Sequence, residues 1–248
     1  GRREACYTHI LSVLRFLVKA ETEKKQQRSQ DRKALIKVAV QSGDPYFHEV
    51  LYREMVALGL GTELLQLDAN ASYLETYLLR AGGLDAHSPG LPLGPLSPEQ
   101  LTHLDLLAKF YVTRANFSSA AQVYASLAER RSGAGDQQVT LAQRWKCYES
   151  AVLQAKSQGD TDLIEDFEAK LTVMGFQKTI AERVAGGGEQ QAADSAALNE
   201  LQAAPKSLSQ LFNDYAKPRE MWDVCLEVVG FSTHSVDSAD VVLRLWDW

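Results

Sequence analysis

The sequence predicts an all-α fold, an irregular α-solenoid of stacked antiparallel helix pairs. Apolar residues recur at steps of three and four, as Leu101, Leu104 and Ala108 do, which is the spacing of one helix face. No segment alternates apolar and polar residues between turn signals, as a half-buried strand would. Glycine and proline divide the chain into segments of helical length without a strict repeat, so we expect an irregular solenoid and not a tandem array.

Helix start and stop signals give the predicted boundaries. Ser97 precedes Pro98, and Gln100 comes three residues after the serine, a pattern that predicts a capping box at a helix start. Asp44-Pro45 predicts a second start in the same way. The predicted helices cover about residues 4–26, 31–42, 45–58, 62–68, 71–81, 98–115, 117–131, 138–157, 161–185, 192–203, 207–215, 219–229 and 236–247.

Two similar tetrapeptides predict tight connections between antiparallel helices. QSGD covers residues 41–44, and SQGD covers residues 157–160. In each, we expect the glycine to adopt a left-handed conformation that ends one helix, and the aspartate to cap the next helix. The sequence therefore predicts an αα-hairpin at both positions.

A stretch rich in glycine and proline divides the predicted helices into two groups. GGLDAHSPGLPLGPLSP, from Gly82 to Pro98, forbids a helix and predicts an irregular crossing. We therefore predict an N-terminal helical part at residues 1–83, a crossing loop at 84–97 and a C-terminal helical part at 98–248. All three are expected to belong to one continuous solenoid fragment.

Composition and charge exclude several classes of protein. The chain has 248 residues, is 45% hydrophobic and 23% charged, and carries a formal net charge of −6. These values are typical of a packed globular protein, and the negative charge argues against nucleic-acid binding. No apolar run reaches the roughly 18 residues of a membrane span. The basic stretch from Lys19 to Lys37 also contains acidic residues, so we predict a solvated helix end and linker there.

The cysteine and histidine patterns predict no catalytic or metal site. The cysteines are far apart in sequence and are predicted to be buried reduced thiols. His48 begins a zinc-protease-like motif, but Tyr52 stands where the second ligand would be needed. His103 and Asp105 point to different faces of a predicted helix. We expect no catalytic residue, metal, cofactor or small-molecule substrate. The three cysteines are Cys6, Cys147 and Cys225.

The segment NFSSAAQVYASLAER, residues 116–130, places small and aromatic residues on one helical face. Small side chains at the centre of this packing stripe let a neighbouring helix approach closely, and the aromatic rings fill the wider space beside them. A ligand pocket would need convergent polar groups on the same face, and the stripe has none. The stripe consists of Phe117, Ala120, Ala121, Tyr124, Leu127 and Ala128.

The C-terminal residues predict a surface that one neighbouring helix does not cover. Apolar and aromatic side chains occupy more than one side of the last predicted helix. Either further helices of a longer native chain pack there, or the surface is a contact with a partner or a second copy. The residues are Val241, Val242, Leu245, Trp246 and Trp248.

Three blocks in the last three-fifths of the chain carry a resemblance to a known family. They are LDLLAKFYVTRANFSSAAQVYASLAER, LAQRWKCYESAVLQAKS and SLSQLFNDYAKPREMWDVCLEVVGFS. In order and spacing, they resemble the C-terminal helical part of the large non-repetitive inner-ring nucleoporins, the 155/170-kDa family. The resemblance covers roughly residues 97–248, and before Gly82 only the helical character matches. The family places a β-propeller before its solenoid, and no blade pattern is present, so we expect a C-terminal fragment.

The resemblance implies a structural role in the inner ring of the nuclear pore complex, at the nuclear envelope, in support of nucleocytoplasmic transport. It implies that linker nucleoporins and other inner-ring nucleoporins are partners, with short linear segments docking in grooves between helices. No groove is identified from the sequence, and no membrane contact is expected from this part of the chain. Two alternatives stay open: a helical adaptor of a vesicle coat or tethering complex, and a helical enzyme with a deep pocket of titratable groups.

Overall fold

A computed structural model of the chain describes residues 2–19, 25–67, 71–84, 96–131, 139–186, 191–234 and Trp246. Every regular element within these ranges is helical, which confirms the predicted all-α class. Between the eleventh and twelfth α-helices lie a π-helix, Leu211–Ala216, and a 3-10 helix, Lys217–Arg219. The α-helices are α1 (Arg2–Lys19), α2 (Lys25–Ala39), α3 (Pro45–Ala57), α4 (Gly61–Leu65), α5 (Ala71–Ala81), α6 (Pro98–Thr113), α7 (Phe117–Glu129), α8 (Leu141–Gln158), α9 (Thr161–Gly186), α10 (Gln191–Ala203), α11 (Leu208–Gln210) and α12 (Trp222–His234).

The helices form two compact units, Gly1–His87 and Ser88–Trp248. In the N-terminal unit, α1 packs on α2 and α3, and α3 packs on α4 and α5. Its core includes Leu14, Ile36, Phe47, Leu51, Tyr52, Met55, Leu64, Leu74 and Leu78.

In the C-terminal unit, α7 packs between α6 and α8, and α9 contacts both α8 and α10. Each helix thus packs chiefly on its neighbours in sequence, as the helix pairs of a solenoid do. Its core includes Ala121, Tyr148, Ala151, Val173, Met174, Ile180, Leu201, Leu211, Val224 and Val228. The predicted crossing loop at residues 84–97 stays a prediction, because most of it lies outside the described residues.

The predicted caps form where serine and aspartate precede a helix. The Ser97 hydroxyl accepts from the Gln100 amide at 3.1 Å, and the Gln100 side chain accepts from the Ser97 amide at 2.9 Å. Asp44 caps α3 by accepting from the Tyr46 amide at 3.2 Å. At the second hairpin, Gly159 has a φ of +76°, a value that suits glycine. Asp160 Oδ1 then accepts from the Leu163 amide at 3.2 Å.

The first hairpin differs from its prediction. Gly43 is absent from the described residues with positive φ, so the expected left-handed cap is wrong. The reason is that α2 ends earlier, at Ala39, and the chain leaves it through turn bonds such as the Gln41 amide to the Val38 carbonyl, at 3.1 Å. By Gly43 no helix remains to be capped, and the Ser42 hydroxyl instead accepts from the Asp44 amide at 3.3 Å.

The basic stretch was predicted as a solvated helix end and linker, and its linker residues 27–30 are helical instead. We predicted one helix to residue 26 and the next from residue 31, but α1 ends at Lys19 and α2 already begins at Lys25. Lysine, arginine and glutamine are good helix formers, and the basic side chains also make tertiary contacts. Arg32 Nη2 donates to Glu63 Oε1 at 2.6 Å, and the Arg28 guanidinium lies over the Phe16 ring.

Two further expectations need correction near the chain ends. The helix predicted to start at residue 219 begins at Trp222, because Glu220 takes a left-handed φ of +55° after the 3-10 turn. Cys225 is buried and Cys147 half-buried, but Cys6 is exposed, because it lies off the α1 face whose Leu11 and Leu14 are buried. The predicted helix at 236–247 lies outside the described residues, except for Trp246, which is helical.

A buried arginine connects three helices of the C-terminal unit. The Arg144 side chain, on α8, is fully buried. Its Nη1 donates to the carbonyls of Ala128 and Arg130 at 2.5 and 2.6 Å, where α7 ends. Its Nη2 donates to the carbonyl of Ala203 at 2.8 Å, where α10 ends. Since the last carbonyls of a helix lack intrahelical partners and carry partial negative charge, one guanidinium satisfies two helix ends.

A buried glutamine fixes the connection between α10 and α11. The Gln177 side chain, on α9, is fully buried. Its Nε2 donates to the carbonyls of Leu201 and, at 3.0 Å, Ala204, while its Oε1 accepts from the Lys206 amide at 2.9 Å. The side-chain amide of Gln177 therefore satisfies two backbone carbonyls and one backbone N–H group at this connection, where the helical hydrogen bonds stop.

The packing stripe on α7 is mostly buried within the C-terminal unit. Ala120, Ala121 and Ala128 are fully buried and Leu127 is 5% exposed, while Phe117 and Tyr124 are half-buried. Helix α7 makes its most extensive contact with α8. The close approach of a neighbouring helix at the alanines, with the larger side chains beside it, stays a prediction.

We expect Ala121→Trp to lower the melting temperature by several degrees, because an indole in this tightly packed position costs about 1–3 kcal/mol or more. The matched control is Gln122→Trp, since Gln122 is the adjacent, exposed residue of α7. Thermal unfolding followed by circular dichroism measures both variants. Equal melting temperatures for the two would show that the α7 stripe is not tightly packed.

Replacing the buried guanidinium tests the connection among α7, α8 and α10. Arg144→Met keeps the apolar stem but leaves the carbonyls at two helix ends without their donor, and we expect a loss of about 3 kcal/mol or more in unfolding free energy. Lys146→Met, at an exposed position of α8, is the control and should change stability little. Urea unfolding provides the comparison, and a similar midpoint for both variants would contradict the role given to Arg144.

Candidate docking surfaces

The N-terminal unit has an apolar groove between α2 and α4. The groove has a volume of about 380 Å³. Its size suits a few apolar side chains of a bound segment. The lining residues are Lys33, Ile36, Lys37, Val40, Gln41, Glu63, Gln66 and Leu67.

The groove combines an apolar floor with a basic rim. Ile36 and Val40 form the floor and are each 3% exposed. Lys33 and Lys37 are exposed on the rim, and neither pairs with a carboxylate among the described residues. The carboxylate of Glu63, also in the groove, is already paired with Arg32 at 2.6 Å. The local field is therefore positive, although the chain as a whole has a net charge of −6.

A second groove, of about 340 Å³, lies between α3 and α5 and is rich in aromatic rings. Tyr46 and Tyr73 are exposed there, and the Tyr73 ring lies 5.4 Å from the His48 ring. His48 itself is buried, with Nε2 2.6 Å from the Ser42 carbonyl. His48 therefore packs against aromatic rings and backbone. The Tyr52 ring, four residues further along the chain, lies 5.5 Å from the His48 ring and is one of these contacts.

The histidine and carboxylate candidates for a metal site are not clustered within the described residues. No group of three or more histidine, cysteine, aspartate or glutamate side chains within the described ranges could hold a metal ion. His103 Nδ1 lies 2.7 Å from the Glu99 carbonyl of its own helix, and Asp105 pairs with Lys109 at 2.6 Å. The two side chains thus have separate local partners, as their spacing predicts.

The structure describes one residue of the predicted C-terminal surface, Trp246. The Trp246 ring is half-buried and lies 6.3 Å from the Phe212 ring of the π-helix, in an edge-to-face arrangement. Val241, Val242, Leu245 and Trp248 lie outside the described residues. The surface they were predicted to form stays a prediction.

An exposed apolar stripe on α12 was missed by the sequence analysis. Trp222, Leu226 and Val229 are 57%, 72% and 41% exposed. Their spacing of four and three residues places them along one side of the helix. The spacing is visible in the sequence, but α12 has apolar residues on most sides, so the pattern alone does not tell which of them face the core.

The opposite side of α12 is fixed in place. Val224 and Val228 are fully buried, and the Phe231 ring packs edge-on against Phe176 at 5.9 Å. An ion pair adds to this packing, since Arg183 Nη1 on α9 donates to Asp223 Oδ1 at 2.7 Å and Nη2 donates to Oδ2. The hydrogen bonds from Arg183 lower the pKa of Asp223 to about 2.

Comparison with known proteins gives a family match along nearly the whole chain. Residues 1–247 match the family model described as Non-repetitive/WGA-negative nucleoporin C-terminal. None of the described helices is both long enough and apolar enough to cross a membrane. The match includes the N-terminal helices, for which the sequence motifs gave only a general helical likeness.

Two curated relatives are nucleoporins. The chain is 26% identical to Nucleoporin NUP170 of Chaetomium thermophilum over 209 residues, which is 83% of this chain and 13% of that protein. It is 24% identical to Nuclear pore complex protein Nup154 of Drosophila melanogaster over 198 residues, or 77% of this chain and 13% of that protein. The chain therefore spans about an eighth of the length of these relatives.

A solved structure has the same fold. The C-terminal domain of Chaetomium thermophilum Nup170, crystallised as a Nup170 CTD-Nup145N complex, superposes with a TM-score of 0.67 and 25% sequence identity. The alignment covers 94% of this chain and 43% of that one. Because that domain is an α-solenoid, the likeness confirms the predicted irregular solenoid class.

We expect Arg183→Gln to raise the pKa of Asp223 from about 2 toward its ordinary value of 3.8, because the variant removes the charged donor. A carboxyl group with a lowered folded-state pKa stabilises the fold above its unfolded pKa, and the contribution is lost as the pH falls through the folded value. Lys178→Gln, on the same helix, is the control. NMR titration of the Asp223 carboxyl measures the shift, and identical midpoints in both variants would contradict the ion pair.

Proposed function

Because the chain belongs to the family of non-repetitive nucleoporin C-terminal regions, we propose that it is a scaffold element of the inner ring of the nuclear pore complex, at the nuclear envelope. We propose that it docks short linear segments of linker nucleoporins in grooves between its helices, and so supports nucleocytoplasmic transport. The α2–α4 groove carries this proposal, since it joins an apolar floor to a basic rim.

The groove has the properties that a linear segment requires. A segment that is disordered when free gains affinity by burying a few apolar side chains, and Ile36 and Val40 offer a floor for them. Lys33 and Lys37 attract a carboxylate on the segment, which speeds association and fixes its direction in the groove. The proposed ligand is therefore a nucleoporin segment with apolar residues next to at least one acidic residue.

The complex of the structural relative supports a nucleoporin as the partner. The C-terminal domain of Chaetomium thermophilum Nup170 was crystallised with Nup145N, and this chain has the same fold. We propose that a nucleoporin segment also binds here, and that the scaffold acts through its shape and grooves without catalysing a reaction. Other inner-ring nucleoporins are further proposed partners, while nucleic acid, membrane and small-molecule substrates are not.

Charge reversal on the groove rim tests the proposal. Lys33→Glu/Lys37→Glu leaves the fold intact, because both side chains are exposed, but turns attraction of an acidic segment into repulsion. The purified chain serves as bait in nuclear-envelope extract at physiological salt, and mass spectrometry identifies what is retained. We expect the wild-type chain to retain linker nucleoporins and the double variant to retain at least about tenfold less.

The matched control has the same change in charge at other exposed lysines. Lys19→Glu/Lys146→Glu should retain linker nucleoporins as the wild-type chain does. Equal retention by both double variants would assign docking to another surface. Retention of coat or tethering subunits in place of nucleoporins would overturn the pore-scaffold function and favour a helical adaptor of membrane traffic.

A further inference from the structure

We propose that the segment docked in the α2–α4 groove crosses the C-terminal end of α2 and places a second apolar anchor in a neighbouring groove. The inference rests on the proposed function and adds a second contact to it. The neighbouring groove, here called the α1–α2 groove, has a volume of about 370 Å³ and is bounded by α1, α2 and the start of α3. Its lining residues are Tyr7, Ile10, Leu35, Val38, Ala39, Gln41, Ser42 and Phe47.

The two grooves meet at Gln41, which lines both of them. Lys33 and Lys37 belong to the α2–α4 groove, whereas Leu35 and Val38 belong to the α1–α2 groove. At 3.6 residues per turn, these two pairs lie on opposite flanks of α2. Gln41 follows the end of the helix, so a segment that leaves the first groove there enters the second.

The outer side of α2 leaves room for this crossing. Ala34, Val38 and Gln41 are exposed, and the Gln41 side-chain amide makes no hydrogen bond within the described part of the chain. This amide can pair with the main chain of a segment that passes over it. A helix is about 10 Å across and an extended chain advances about 3.3 Å per residue, so about three or four residues make the crossing.

The α1–α2 groove favours an uncharged anchor. The described lining contains no lysine, arginine, aspartate or glutamate. The Tyr7 and Phe47 rings stack in it with their centroids 4.5 Å apart. The Tyr7 hydroxyl donates to the Asp44 carboxylate, which also pairs with Arg3, so the charges beside the groove already have partners. A charged side chain would lose hydration there without gaining an opposite charge, whereas an apolar side chain gains contacts with the rings.

Val38 provides the surface that the second anchor would cover. It is 67% exposed, although Ala39 and Phe47 in the same groove are buried. Covering this side chain removes apolar surface from water. One segment that fills both grooves gains from both, because its second anchor binds as part of an already tethered chain. The ligand is therefore a bipartite segment, with an acidic apolar part, about three or four crossing residues, and an aromatic or large aliphatic anchor.

Retention of linker nucleoporins by a neutral variant tests the second anchor. The purified full chain again serves as bait in nuclear-envelope extract. Val38→Gln removes the apolar surface without changing the charge, and the fold tolerates it because Val38 is exposed. We expect about fivefold less retention than with the wild-type chain. Leu153, on α8, is 60% exposed, and the matched control Leu153→Gln should retain linker nucleoporins as the wild-type chain does.

Photo-crosslinking tests whether one segment occupies both grooves. The photoreactive residue p-benzoylphenylalanine replaces Gln66, in the α2–α4 groove, in one variant and Val38, in the α1–α2 groove, in another. Mass spectrometry then locates the labelled residues. We expect both variants to label the same linker nucleoporin, at residues within about ten of each other. The same replacement of Lys146, an exposed residue of α8, should not label this segment.

The outcomes separate the second anchor from the docking function itself. If Lys33→Glu/Lys37→Glu loses retention while Val38→Gln and Leu153→Gln retain equally, the second anchor is overturned and docking in the α2–α4 groove stands. Labelling of two different proteins, or of two distant segments, from the two grooves would also overturn it. Equal retention by all of these variants would contradict both the second anchor and docking in the α2–α4 groove.

Discussion

The structure of the C-terminal unit depends on one buried cation. Arg144 is fully buried, and its hydrogen bonds reach carbonyls at the ends of α7 and α10. Burial lowers the pKa of Arg144 to about 10, so the side chain remains charged at neutral pH. The partial negative charge of two helix ends offsets that charge. A lysine would not replace it, because only the planar guanidinium presents several donors in a fixed arrangement.

The class of fold and the helix starts marked by Ser97 and Asp44 could be predicted from local chemistry, and the tertiary contacts could not. Ser97 precedes a helix because its hydroxyl reaches an amide three residues away, which is a local event. Thr140 and Gln143 form the same capping box at α8, and this signal, read correctly, would have placed the start of α8. The failure at Gly43 arose because α2 already ends at Ala39 and the chain leaves it through turn hydrogen bonds. The sequence did not reveal the role of Arg144, because its hydrogen-bond partners are backbone carbonyls, and every residue of the chain has one.

The candidate docking surfaces likewise combine local patterns that the sequence shows with tertiary contacts that it does not. Ile36 and Val40 lie four residues apart and could be assigned to one face of α2, but the facing wall of the groove comes from α4 and depends on the fold. On α12, the apolar pattern is present on most sides, and only packing against α9 and the π-helix decides that Leu226 remains outside. Composition thus predicts how much apolar surface a helix has, and the fold decides which part of it is available to partners.

The π-helix at Leu211–Ala216 has a consequence for how related sequences should be aligned. Each turn of a π-helix contains about one residue more than an α-helical turn, and this segment lies between the Ser207 capping box and the 3-10 turn that contains Pro218. A homologue with one residue fewer between these two points can close the wide turn into a regular one and keep both flanking helices in place. We therefore expect that the flanking helices tolerate the loss of one residue in this segment between distant relatives.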